Sequence, residues 1–314
     1  MPVYSSKKVP VFMGFRYGRE VLIENNTAND YNDTQIEIVL NTQELINSNK
    51  LKNNCSDLVI VDENLNMLPF WIQKETINTT QTRIWTKLSF IQRQSTQRIF
   101  VYYNDPEFVN IQNPDSVFIF FDDFNGPSGS PPNSQKWWWN GNPRLDGNSW
   151  VILGGDNNGA NIYGTQMDNN QILMDNNQIL RARANFNGSG MQLGLYYEIR
   201  LVIDYNYRYL FCYRYNSCVQ VESYSGVNIV EIQRFPIDRW NSYAKYYKNY
   251  VEQFSTQYAY PSSLQIHCYG PASYSQYLAI DWIFLYKNAC KYFNILISNE
   301  EPTIKRSFLI QPIF

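Results

Sequence analysis

Charge is scarce in this chain and histidine almost absent. Asp, Glu, Lys and Arg make up 17% of its 314 residues, and His267 is the one histidine. Roughly 25% charged is ordinary for a soluble domain. A net charge of −2 gives no basic surface of the kind a nucleic-acid partner needs. No apolar run approaches the roughly 20 residues of a membrane-spanning helix. Met1–Pro10 carries Lys7 and Lys8 with no apolar stretch behind them, so it does not read as a secretion signal.

These shortages restrict catalysis. Any Ser-His-Asp or Cys-His site would have to use His267. Its neighbour Cys268 falls on the opposite face of a strand, which separates the two. There is no Gly-rich phosphate loop. The five cysteines, Cys55, Cys212, Cys218, Cys268 and Cys290, include no C-x-x-C pair for zinc. Glu198 and Asp204 share a strand face but lie roughly 20 Å apart at ~3.4 Å per residue, whereas paired hydrolytic carboxylates sit about 5–10 Å apart. Asp122 and Asp123 are adjacent and read as turn caps that order a linker. Asp156-Asn157-Asn158-Gly159 offers calcium-type oxygens without a second acid nearby and reads as a loop. The expectation is a non-catalytic protein with no cofactor and no metal.

Neutral polar and aromatic residues take the place of charge. The chain has 37 Asn and 25 Tyr, which suit turns and half-exposed strands better than exposed helices. This composition fits exterior all-β proteins, and AT-rich codons would also produce it. Sequons occur at Asn25, Asn32, Asn54, Asn78 and Asn187.

Period-two alternation recurs along the whole chain. Thr34–Leu40 and Arg83–Leu88 alternate, and Arg98–Tyr103 runs up to a turn at Asn104-Asp105-Pro106; Tyr196–Ile203 alternates later, and Val219–Glu222, Ile229–Ile232 and Leu278–Tyr286 follow as strands. Short strands at roughly ten-residue spacing describe antiparallel sandwiches. No segment keeps a helical period over three turns. Met167–Leu180 is the heptad Met-Asp-Asn-Asn-Gln-Ile-Leu twice over, read as two copies of a turn followed by a short strand. Cys212 and Cys218 flank a five-residue hairpin loop, where they either bridge or pack as reduced thiols. Trp137, Trp138 and Trp139 cannot all face one core, so at least one is exposed or lies in an interface, packing between the domains, against another chain or on a sugar ring.

Six segments in order carry a resemblance. They are Tyr17–Ile23, Cys55–Asp62, Leu68–Ile72, Thr82–Leu88, Ile99–Pro106 and Val117–Phe124, the last reading Val-Phe-Ile-Phe-Phe-Asp-Asp-Phe. Together they resemble an uncharacterised β-sandwich family, a domain of unknown function found in archaeal and bacterial surface proteins, whose closing strand reads V-F-x-F-F-D-D-F. That family commonly precedes a concanavalin-A-like jelly roll, and Ser134–Trp138 with Ile280-Asp281-Trp282-Ile283 resembles the entry and closing strands of one. The resemblance implies a fold and no fixed activity.

The sequence therefore predicts an all-β chain of two antiparallel β-sandwich, jelly-roll-like domains in tandem. The expected division is an N-terminal arm over 1–14, a sandwich over 15–125, a jelly roll over 126–289 and an apolar C-terminal arm over 290–314. The first functional expectation is a structural component of a virus particle: a minor capsid, vertex or spike protein assembled in the host cytoplasm, to which a role in attachment to host glycans could be added. Its partners would be other capsid proteins or further copies of itself, with Phe308, Leu309, Ile310, Ile313 and Phe314 as the assembly arm. The alternative is a carbohydrate-binding module, extracellular or on the cell surface, with glycans as partners and Trp137, Trp138 and Trp139 as contacts.

Overall fold

The computed structural model describes residues 12, 14–154, 159–164, 173–174, 177–188, 191–195, 199–203, 209–213, 217–222, 226–236, 241–259, 264–270 and 276–303. The chain forms two compact units, Met1–Val117 with Ala289–Phe314, and Phe118–Asn288. Both are antiparallel and built almost wholly of strands.

The first unit has two sheets. One orders Asn294–Ile297, Tyr17–Asn25, Ser95–Tyr103 and Val59–Asp62, with Glu301–Pro302 also on Tyr17–Asn25; the other orders Tyr31–Leu40, Thr82–Ile91 and Phe70–Ile72. Val21, Ile23, Ile99 and Val101 from the first meet Ile36, Ile38, Ile84 and Leu88 from the second in one core. Trp85 is as fully buried as its neighbour Ile84, so the three-stranded sheet is covered on both faces. The short helix Pro114–Val117 packs on its strands, and Gln35 Nε2 donates to Val117 O at 2.8 Å.

The helix Thr42–Asn47, of six residues, is shorter than the three turns over which the sequence shows no helical period. Asn41 caps it, its Oδ1 accepting from Glu44 N at 3.1 Å. An Asn with Glu three residues on is the capping-box spacing, readable in the sequence but belonging to a helix shorter than three turns.

The chain from Cys290 onward, expected as an apolar arm, belongs to the first unit over its described part. Asn294–Ile297 pairs with Tyr17–Asn25 in the register Val21↔Ile297 to Glu24↔Asn294. Ile295 and Ile297 pack against the core. Ser298 N donates to Glu20 O at 2.9 Å and Thr303 N to Arg16 O at 3.0 Å. A strand with open backbone groups along one edge takes up a segment that satisfies them, and the alternation of Ile295 and Ile297 supplies the apolar face.

The second unit is a sandwich of two larger sheets. Sheet I orders Val251–Ala259, Asn241–Lys248, Gly226–Pro236, Gln178–Asn187, Tyr277–Lys287, Val151–Gly154 and Arg144–Leu145. Sheet II orders Ser217–Glu222, Tyr209–Tyr213, Ile199–Ile203, Met191–Leu195, Leu264–Gly270, Ala160–Gly164 and Trp137–Gly141. Leu180, Ala182, Val230, Ile232 and Ile283 of sheet I and Trp137, Ile162, Met191 and Leu193 of sheet II share the core.

The segment Val117–Phe124, read as closing the first domain, divides between the units. Phe120–Asp122 pairs with Tyr277–Lys287 through Leu285↔Phe120, Phe284↔Phe121 and Ile283↔Asp122. The unit borders thus fall at 117/118 and 288/289, where the sequence reading puts them at 125/126 and 289/290.

Candidate functional site

The three tryptophans lie on the edge strand of sheet II and have three different surroundings. Trp137 is 1% exposed. It stacks on Phe124 at 5.5 Å and meets Phe120 edge-on at 5.2 Å. Its indole Nε1 donates to Asp122 Oδ2 at 2.6 Å, and Asp122 Oδ1 accepts from Phe124 N at 2.9 Å. Asp122 thus orders the residues that follow it, and Trp137, named in the sequence reading as a glycan or interface contact, is committed to the core. Burial pushes the Asp122 carboxyl above its ordinary value, against the opposing pull of the Trp137 and Phe124 donors. Trp139 is half-buried and packs on the same core. Trp138, between them, points the other way and is 57% exposed.

The register extends this alternation across sheet II. Directly opposed residues of an antiparallel pair share a face. Ile162 lies opposite Trp139 and Cys268, and Cys268 opposite Leu193; Ile162 and Leu193 are buried in the core, so that row is the inner one. In the neighbouring register row Trp138 pairs with Tyr163, Tyr163 with His267, His267 with Gly194 and Gly194 with Arg200. Asn140, Asn161, Tyr269 and Gln192 pair in a further row two residues away. The edge strand ends at Gly141, whose φ is +80° and where a Cβ would stand 2.1 Å from Gly159 O.

Further along the row of Trp138, Cys212 lies directly opposite Cys218. Cys55, in the first unit, is buried, and burial chiefly pushes its thiol up to about 12, which removes it as a nucleophile. Asn25 is wholly buried; its Nδ2 donates to Asn29 O and Gln92 O, both at 2.9 Å, so this sequon is closed to modification. Phe308, Leu309, Ile310, Ile313 and Phe314, with Glu198, Asp204 and Asp156-Asn157-Asn158, lie outside the described residues.

The outer face of sheet I carries a polar network that the sequence reading missed. Arg181 and Glu231 are buried and pair at 2.6 Å. Glu231 also accepts from Tyr286 OH at 3.0 Å and from Gln233 Nε2. The Arg181 guanidinium lies 5.3 Å from the Tyr286 ring and 5.2 Å from that of Tyr250. Arg183 pairs with Asp281 and stacks on Trp150. Nearer the sheet edge, Lys245 Nζ and Tyr247 OH both donate to Glu252 Oε2, and burial together with Glu252 raises the Tyr247 hydroxyl. The available signal was Arg181-Ala-Arg183-Ala with Glu231-Ile-Gln233, polar residues at period two inside strands. Among the described residues no three His, Cys, Asp or Glu side chains are grouped to hold a metal, and no helix is long and apolar enough to cross a membrane.

A family model described as a domain of unknown function (DUF2341) matches residues 54–140. That span crosses the border between the two units and is less than half of the chain. A comparison with curated proteins finds no match. Among solved structures, the metal-free carbohydrate recognition domain of Emp46p is similar with a TM-score of 0.39 and 11% identity, over 48% of this chain and 88% of that one. A Trypanosoma rangeli sialidase is similar with a TM-score of 0.37 and 13% identity, over 63% and 39%. The catalytic domain of PdAgaC has a TM-score of 0.35 and 7% identity, over 57% and 91%. With TM-scores below 0.5, none of these likenesses bears on what this chain binds.

Proposed function

We propose that the chain is a non-catalytic carbohydrate-binding module, extracellular or at a cell surface, and that it binds through the outer face of sheet II. The observation that carries this reading is Trp138, 57% exposed on the edge strand of sheet II, which pairs with Ala160–Gly164 in the register Trp138↔Tyr163 and Asn140↔Asn161. A sugar ring has an apolar C–H face and a rim of hydroxyls. An exposed indole fits the first. The amides of Asn140 and Asn161, each offering a donor and an acceptor, fit the second. Trp138, Asn140 and Asn161 sit on paired strands, which position side chains more precisely than loops do. The acids on the other outer face do not favour catalysis, since Glu231, Asp281 and Glu252 are each held in an ion pair. The virus-particle reading finds no support in the fold or in the comparisons.

A glycan array probed with the intact chain and with Trp138→Ala tests the proposal. The expected result is a coherent glycan class bound by the first and lost by the second. An array equally silent, or equally bright, for both proteins would overturn it.

A further inference from the structure

The first unit holds a polar cavity of about 480 Å³, within the several-hundred-Å³ range of small-molecule sites. Two loops build it, 48–58 after the helix Thr42–Asn47 and 104–108 after the strand Ser95–Tyr103. Arg16, Lys52, Asn49, Asn53, Asn104 and Asp57 line it, over Ile46 and Leu51.

The walls are braced before any ligand arrives. Lys52 N donates to Asp57 Oδ1 at 2.9 Å, and Lys52 Nζ donates to Pro106 O and Phe108 O, both at 3.1 Å. Asn104 Nδ2 donates to Asn49 O at 3.1 Å, tying one loop to the other. Asn110 Nδ2 donates to Cys55 O and Leu58 O. Asn49 and Asn104 hold left-handed backbone, with φ of 56° and 67°, a conformation Asn tolerates better than most residues.

The lining is cationic in a chain whose net charge is −2. Arg16 and Lys52 face one acid, Asp57, which already accepts from a backbone amide. Other acids beside these loops are Glu300, which pairs with Lys50 and accepts from Tyr103 OH, Asp105, which packs against Gly14 and accepts from Glu107 N, and Glu107, which is exposed and does not line the cavity. A guanidinium recognises a carboxylate through two parallel hydrogen bonds, and side-chain amides recognise hydroxyls as donor and acceptor together.

We infer that this cavity is a binding site for a monocarboxylated sugar, separate from the Trp138 face, with Arg16 holding the carboxylate and Asn49, Asn53 and Asn104 the hydroxyls. Titration calorimetry on the full chain tests it with four probes: glucuronate, glucose, inorganic sulfate and a disaccharide ending in glucuronate. Glucuronate should bind at least about tenfold more tightly than glucose or sulfate, and Arg16→Ala should weaken it by about tenfold or more. Asn53→Ala, a second exposed position, should weaken it less, and Trp138→Ala should leave it unchanged. Binding of the disaccharide with the free acid silent would support the site and assign it to glycan ends. Sulfate binding as tightly as glucuronate, no binding of either acidic probe, or unchanged affinity in Arg16→Ala would overturn the inference. So would loss of binding in Trp138→Ala, which would place the ligand on sheet II.

Discussion

The two outer faces of the second unit use polar and aromatic residues in opposite ways. On sheet I, Arg181, Glu231, Gln233 and Tyr286 are buried and answer one another. Such a network is satisfied by its own members and has nothing left to offer a ligand. On sheet II, Trp138 is exposed, with Asn140 and Asn161 paired beside it. The difference teaches that residue type does not mark a binding face. A charged and aromatic face can be wholly structural, and the proposed binding face is the one that leaves an indole exposed.

Substitutions sharpen this contrast, and the largest effect is expected on sheet I. Glu231→Ala leaves the Arg181 guanidinium buried without its carboxylate, which costs about 3–5 kcal/mol; denaturant unfolding should show this as a large fall in midpoint. Asp122→Ala, at the base of the tryptophan strand, strands the Trp137 indole N–H and the Phe124 amide in the core, for about 1–3 kcal/mol, read in the same way.

The Asp122 carboxyl also sets a pH dependence. Because its value is raised in the fold, the folded chain keeps the proton where the unfolded chain, at about 3.9, has released it. That contribution is complete below about pH 3.9 and is lost as pH rises through the folded value. The stability of the parent chain relative to Asp122→Asn should therefore fall as pH rises through that window. A flat difference would show that Asp122 ionises as freely as in the unfolded chain.

Smaller effects belong to exposed positions. Lys245→Ala breaks a surface pair with Glu252 and should cost roughly 0–1 kcal/mol. Trp138→Ala should change stability by about 0.5 kcal/mol or less, although it removes the largest exposed side chain of its strand. A cost of several kcal/mol, measured by thermal unfolding, would mean that Trp138 is a packing residue.

The all-β architecture was legible because strand alternation is written residue by residue. Trp137, Trp138 and Trp139 even announced that they could not share one environment. Which of them turns outward depends on Ile162 and Leu193, strands distant in sequence that fix the inner row. The unit borders were less legible, because Phe120–Asp122 reads as the end of one domain yet pairs with Tyr277–Lys287, more than 150 residues on. Likewise Ile295 and Ile297 look like an unattached apolar tail until Tyr17–Asn25 is seen to lack a neighbour on that edge. Arg181 and Glu231 sit 50 residues apart, and nothing local marks them as a pair. Pattern reveals elements, while pairing across long separations decides what each face becomes.

The central claim is that the outer face of sheet II, and not that of sheet I, binds carbohydrate. The most direct test is calorimetric titration of the strongest glycan from the array into the parent chain, Trp138→Ala and Lys245→Ala. Parent-like affinity in Lys245→Ala, with a loss of at least about tenfold, near 1.4 kcal/mol, in a folded Trp138→Ala, is the result expected. Full affinity in Trp138→Ala, or a loss that follows Lys245→Ala instead, would contradict the account.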